Sequence, residues 1–366
     1  MARRVFFHVG LPKTGTTYLQ TLMWDNRDEL RRQGVLLPGE SSRQHLWASG
    51  VVREDPHLDR RGPEAKHAWG RLVEEINAWD GTAVVSHEFF ASASAEQASR
   101  AAAALVGAEV HVVVTARETL SLVTARWQEF VKNGSTVPID GYPVSDEISG
   151  NDDWDWGTLD LADVLRRWGA GLPPERVHVL TLPKPDEPRD TLWLRFATLL
   201  GVDPASVDPS RSAQNESLGV VEVELLRRVN ADLTGFGSAP DRGNWIRGYL
   251  AQGKLVPRGG ERFWPSPERV AVLRERGERI ADEVASAGYD VIGDPADLRP
   301  PVDVPERRHP DSVTDAELVA AATGVIAEMM SDVRRLTREV RAPAPPPPRP
   351  LWRRVASRAR ALVRRT

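Results

Sequence analysis

RRVFFHVGLPKTGTTYLQTLMWDNRDELRRQG, residues 3–34, runs from an apolar segment through a glycine-bounded turn into a segment with helical spacing. Val5 to Val9 has the composition of a buried parallel strand. Leu19, Leu22, Met23 and Leu30 recur at helical period across residues 17–32, and Gly34 ends that run. Gly10 and Gly15 let the backbone turn tightly with its N–H groups pointing inward, and the helix that follows brings its positive dipole end to the same place. The stretch is expected to cradle an anion, a phosphate above all.

Working outward, strand and helix signals alternate. Short strands are expected at Val35 to Pro38 and Thr82 to Val85, and EVHVVVT, residues 109–115, reads as the clearest buried strand; RVHVLTL, residues 176–182, is another. Helices are expected over residues 64–79, 95–106, 119–132, 159–168 and 191–200, then over 218–233 and 267–287 with no strand between. The alternation predicts an α/β fold of the P-loop type, a three-layer sandwich around a central parallel sheet, with a helical carboxyl third. Residues 1–300 form the α/β domain with its helical elaboration, and 313–341 one further long helix. Residues 342–350, APAPPPPRP, are a polyproline linker, and 351–366 a basic amphipathic tail. Residues 39–63 and 135–157 read as loops, candidates for recognising an acceptor.

Composition narrows the function classes. The chain has 366 residues, 41% hydrophobic and 27% charged, with no cysteine. This argues against a disulfide framework, a thiol nucleophile and a cysteine-based metal site. No apolar run approaches the ~18 residues of a membrane span. The chain enters its first strand directly after Met-Ala-Arg-Arg, so a cytoplasmic protein is expected. A net charge of −4 speaks against nonspecific nucleic-acid binding, yet the last sixteen residues hold six arginines and no acid, which leaves −10 on residues 1–350.

The loop spacing is that of a Walker A motif with its lysine displaced: Gly10 and Gly15 are followed by Thr16 and Thr17, and Lys13 lies inside the loop. This PKTGTT arrangement resembles the 5'-phosphosulfate loop of the sulfotransferases, whose sulfuryl donor is 3'-phosphoadenosine 5'-phosphosulfate (PAPS). The resemblance implies that Pro12, Lys13, Thr14, Gly15, Thr16 and Thr17 bind the donor, with Lys13 neutralising charge on the bridging oxygen and no metal required. It extends to TARETLSLVTARWQEF, residues 115–130, where Arg117 matches the arginine that binds the 3'-phosphate. The serine the family carries eight residues later is Ala125 here, so Ser121 or Thr124 is expected to supply the hydroxyl. Asn215 and Ser217 resemble an Asn-x-Ser of the family's second half, and Arg258-Gly259-Gly260 its nucleotide-closing region. Likeness to the family spans about residues 1–233.

For the base that takes the acceptor proton, the resemblance points to the end of a core strand, where His87 is the first candidate and Glu88 the second. His8, inside the first strand, is a rival that reads more readily as a core histidine. The expected acceptor is a hydroxyl or amine of a glycan, glycolipid or small metabolite. The tail would bring the protein to an anionic membrane surface. Two other classes stay open: a P-loop kinase using ATP, and a nucleotide-binding scaffold without catalysis.

Overall fold

The computed structural model describes residues 2–144, 154–184, 186–188, 190–209 and 217–341. It divides into two units, Met1–Leu318 and Val319–Thr366. Asn215, the proline-rich linker and the basic tail lie outside the described residues.

The first unit is built on a six-stranded sheet, β1 (Arg4–Gly10), β2 (Val35–Leu36), β3 (Thr82–Ser86), β4 (Glu109–Ala116), β5 (Val177–Thr181) and β6 (Asp290–Ile292), in the order β2-β3-β1-β4-β5-β6. Every neighbouring pair is parallel, with His8 of β1 beside Ser86 of β3 and Val113 of β4. Parallel strands need both faces covered, and β1 shows how the sequence arranges this. Phe6 turns to one face, stacking on His111 at 4.7 Å and joining the core formed with Leu19, Leu22 and Met23 of one helix and Trp193 and Phe196 of another. Phe7 turns to the other face, against Trp69, Phe90 and Trp168. The expected three-layer α/β sandwich is therefore the observed one, and burying each of these large side chains contributes about 2 kcal/mol or more.

β1 has β3 on one side and β4 on the other, so the chain reverses its direction of travel across the sheet there. The crevice of such a sheet opens beyond the carboxyl ends of the strands at that reversal. The loop after β1, His87 and Glu88 after β3, and Arg117 after β4 all leave the sheet at this end.

Several elements differ from expectation. The first helix is two helices, Thr16–Asp25 and Arg27–Arg32, separated by Asn26, whose φ of −116° and ψ of 22° interrupt the run while its side-chain amide donates to the Leu22 carbonyl at 2.9 Å. Residues 39–63 contain a helix, Ser42–Val52, whose His45 is fully buried: one ring nitrogen meets the Pro38 carbonyl at 2.8 Å and the other accepts from the Ser86 N–H at 3.1 Å. This stretch braces the end of β3 and is not a solvated loop. β6 escaped prediction, as did the wide helix Arg242–Leu255 with π-type hydrogen bonding. The long helix runs over Asp315–Arg341. No helix of the described residues is long and apolar enough to cross a membrane.

Candidate functional site

Between Val9 and Thr16 the backbone makes the tight turn its glycines permit. Gly15 takes φ 81°, and a methyl group there would come within 2.5 Å of Leu192. Lys13 also takes a left-handed φ of 64°, uncommon for a residue with a side chain. Thr14 holds the loop in shape: fully buried, its hydroxyl donates to the Leu11 carbonyl at 2.5 Å and meets the Thr115 hydroxyl at 2.7 Å. That hydroxyl is thus an internal tie of the loop, which leaves the backbone N–H of Thr14 as the group it could offer an anion. The helix that follows starts at Thr16 with Gly15 as its cap residue and no side-chain cap, which leaves its amino end open to an anion.

This end of the sheet forms a cleft of about 620 Å³ whose walls include Pro12, Lys13, Gly15, Thr16 and Thr17 of the loop, and Glu88, Arg117, Ser121 and Thr124 of the later strand ends. The expected donor-binding residues other than Thr14 therefore share one cleft. Seven cationic side chains line it against two carboxylates, in a chain whose net charge is −4. Such a concentration of positive charge in a partly enclosed site suits a polyanion.

Six of the seven fall into two groups, and the seventh, Arg126, lies over the Trp154 ring at 4.0 Å. Around Glu129, Lys13 Nζ stands 3.3 Å from Oε2, Arg247 Nε 3.3 Å from Oε1 and Lys132 Nζ 3.9 Å from Oε2. Burial resists the charge on Glu129, but these three cations prevail and hold its pKa below the usual glutamate value. Burial pulls Lys132 below the usual lysine range, against the opposing pull of Glu129. The second group is Arg117, Arg262 and Arg307. Burial lowers the pKa of both Arg117 and Arg307, and Arg262 adds repulsion to each, while Glu118 opposes it. Neither Arg117 nor Arg262 has a hydrogen-bond or ion-pair partner among the described residues. Arg307 lies over the Trp264 ring at 4.0 Å, and the Trp264 N–H donates to the Arg308 carbonyl at 3.1 Å, which ties the two segments together. Mutually repelling guanidinium groups, those of Arg117 and Arg307 partly buried and that of Arg262 exposed, favour an anion between them.

At the start of the helix Thr119–Lys132, the Glu118 carboxylate already caps the Ser121 N–H at 2.8 Å, so a phosphate beside Arg117 does not have that helix end to itself. Of the two hydroxyls expected to replace the missing serine, Thr124 donates to the Leu120 carbonyl at 2.8 Å. The Ser121 hydroxyl has no partner among the described residues and is the freer donor. Ser217 also lines the cleft, whereas Arg258 does not; Arg262, Phe263 and Trp264, just beyond it, do.

The base candidates separate clearly. His87 is not among the side chains lining the cleft, and its Nδ1 accepts from the Phe89 N–H at 3.1 Å. Glu88 does line the cleft, with the Gln20 amide donating to Oε2 at 3.2 Å. Burial opposes its charge, but His87, a backbone N–H, Gln20 and Arg126 outweigh it and bring its pKa below the usual glutamate value. Glu88 is therefore an ionised carboxylate at neutral pH. His8 is fully buried, with its ring nitrogens 2.8 Å from the Ser86 hydroxyl and 3.3 Å from that of Thr115, and burial lowers its pKa to about 4. It is a neutral core residue.

Sequence reasoning missed Gln20, Glu129, Lys132, Arg247, Arg262 and Arg307. For Gln20 a signal existed, since it lies three and four residues beyond Thr17 and Thr16, on the same helical face. Glu129 and Lys132 share the helix that follows Arg117, twelve and fifteen residues on.

Among solved structures, the chain is similar to the crystal structure of a sulfotransferase from Alicyclobacillus acidocaldarius, with 18% sequence identity, 68% of this chain and 96% of that one covered, and a TM-score of 0.41. No protein-family model matches the chain, and no curated protein does.

Proposed function

We propose that the protein is a sulfotransferase that moves a sulfuryl group from PAPS to a hydroxyl or amine of a glycan, glycolipid or small metabolite. The observation that carries this reading is the pairing of two cationic subsites in one cleft, the uncapped helix start with Lys13 and the cluster Arg117, Arg262 and Arg307. A nucleotide with phosphate groups at both its 5' and 3' positions matches two such subsites, whereas a single triphosphate chain uses one. The displaced lysine of PKTGTT supports the same choice.

In this reading the N–H groups at the start of the helix Thr16–Asp25 and the Thr16 and Thr17 hydroxyls hold the 5'-phosphosulfate. Arg117, Arg262, Arg307 and Ser121 hold the 3'-phosphate, and Phe263 and Trp264 offer apolar surface to the base. Glu88 accepts the proton of the acceptor hydroxyl as its oxygen bonds to sulfur. The bond from sulfur to the bridging oxygen breaks, and Lys13 neutralises the charge left on that oxygen, a contribution of several kcal/mol in a site closed to water. The products are a sulfate ester and 3'-phosphoadenosine 5'-phosphate. Gln20 fixes the orientation of Glu88.

Incubation of the purified chain with radiolabelled PAPS and a panel of alcohols, sugars, amines and lipid extracts tests the proposal. Transfer of label to an acceptor, lost in Lys13→Ala, supports it. Absence of transfer combined with phosphoryl transfer from ATP to the same panel would establish a kinase instead.

A further inference from the structure

The helix Asp315–Arg341 carries an apolar seam that nothing described in the second unit covers. Val319, Ile326, Val333 and Val340 follow one another at seven-residue intervals and are 65%, 59%, 56% and 85% exposed. Ala322, Met329 and Leu336 occupy the positions three residues after the first three of them, with Met329 and Leu336 38% and 50% exposed. This is a heptad repeat with β-branched residues at every first position and an aliphatic or thioether residue at two of the three fourth positions. That choice favours a parallel two-stranded coiled coil. Arg334, Arg335, Arg338 and Arg341 fall outside the seam, where like charges on two paired helices are kept apart, and Gly324 falls on the outer side as well. Arg335 is neutralised within its own helix by Asp332 at 3.3 Å and Glu339 at 3.2 Å.

We propose that this helix pairs with the same helix of a second copy of the chain in a parallel coiled coil, and that the protein is a homodimer through it. A seam repeated at a fixed seven-residue period complements itself, so a second copy is the occupant it specifies. With Met330, the seven exposed apolar side chains offer on the order of 700 Å² per chain, near the roughly 800 Å² per partner of a standard specific interface. At 1.5 Å per residue, the 22 residues from Val319 to Val340 give a seam of about 33 Å, more than three heptads.

Sedimentation of the full chain at micromolar concentration tests this. A dimer is expected for the wild type and for Arg334→Glu on the outer side, and a monomer for the double variant Ile326→Glu, Val333→Glu. Nucleotide binding should survive in all three. Because the chain has no cysteine, Val340→Cys reads the orientation without background. Under mild oxidation the parallel pair places the two thiols together and yields a covalent dimer on a denaturing gel. A monomeric wild type, a dimer that persists in the double glutamate variant, or a dimer that Val340→Cys fails to cross-link would each overturn the proposal. Apolar-seam binding to lipid vesicles by a monomeric wild type would assign the face to a membrane instead.

Discussion

Lys13 Nζ lies 3.3 Å from Glu129 Oε2, so the lysine that would meet the sulfuryl donor is held by a carboxylate 116 residues further along the chain. Glu129 at the same time offsets Lys132 and Arg247. Removing its charge has two opposite effects. Glu129→Gln leaves the buried Lys132 poorly compensated and lowers stability by about 1–3 kcal/mol. It also removes a negative charge from the anion site, so 3'-phosphoadenosine 5'-phosphate binds several-fold tighter. Thermal unfolding with and without the nucleotide checks both: a lower melting temperature alone, and a larger rise on adding ligand.

Lys13→Ala is expected to fold normally and to lose about 10²- to 10³-fold in turnover, the cost typical of deleting one charge-stabilising group in an active site. Rates near wild type in a folded variant would remove Lys13 from the chemistry.

Arg117→Ala is expected to weaken 3'-phosphoadenosine 5'-phosphate by about 10- to 100-fold, the loss of a charge-assisted hydrogen bond, while adenosine 5'-monophosphate binding changes little. Equal losses for both nucleotides would show that Arg117 does not read the 3'-phosphate.

Glu88→Gln should reduce the rate more than His87→Ala. The pH profile gives an independent reading. With Glu88 as base, ionised down through a pKa below the usual 4.5, the rate stays level as pH falls through neutrality and declines only in the carboxylate range. An acid limb centred near about 6.5 would restore His87 to the role.

His8 and His45 are both buried and held neutral, with pKa values lowered from 6.5 to about 4. The unfolded chain takes up their protons first as pH falls, so each contributes stability that is present above about 6.5 and is lost as pH drops toward 4. Each histidine accounts for up to about 3 kcal/mol over that window. Urea titrations at neutral pH and at about pH 5 should show the decline, and His8→Gln should shrink it.

The fold was legible because a buried parallel strand is a continuous apolar run, as in β1 and β4, and because Thr119–Lys132 and Thr191–Leu200 keep a helical period between clear stops. β6 was not legible: three partly exposed residues at a sheet edge carry too little pattern. The helix around His45 carries no clear helical signal because polar residues interrupt its apolar spacing, and the buried ring is satisfied by backbone groups that sequence does not reveal. The site divides the same way. The glycine-bounded loop and Arg117 are local motifs, whereas Glu129, Arg262 and Arg307 resemble solvated charges until the fold brings them to the cleft. The proposal of Glu88 over His87 rests on two features that sequence does not show, the place of Glu88 on the cleft wall and the backbone N–H that occupies His87 Nδ1.

Calorimetry of the full chain with 3'-phosphoadenosine 5'-phosphate and, separately, with ATP and Mg²⁺ tests the central claim most directly. The account predicts tight binding of the bisphosphate, unaffected by a chelator, and much weaker binding of ATP. Binding of ATP with Mg²⁺ at higher affinity, or no binding of the bisphosphate, would contradict it.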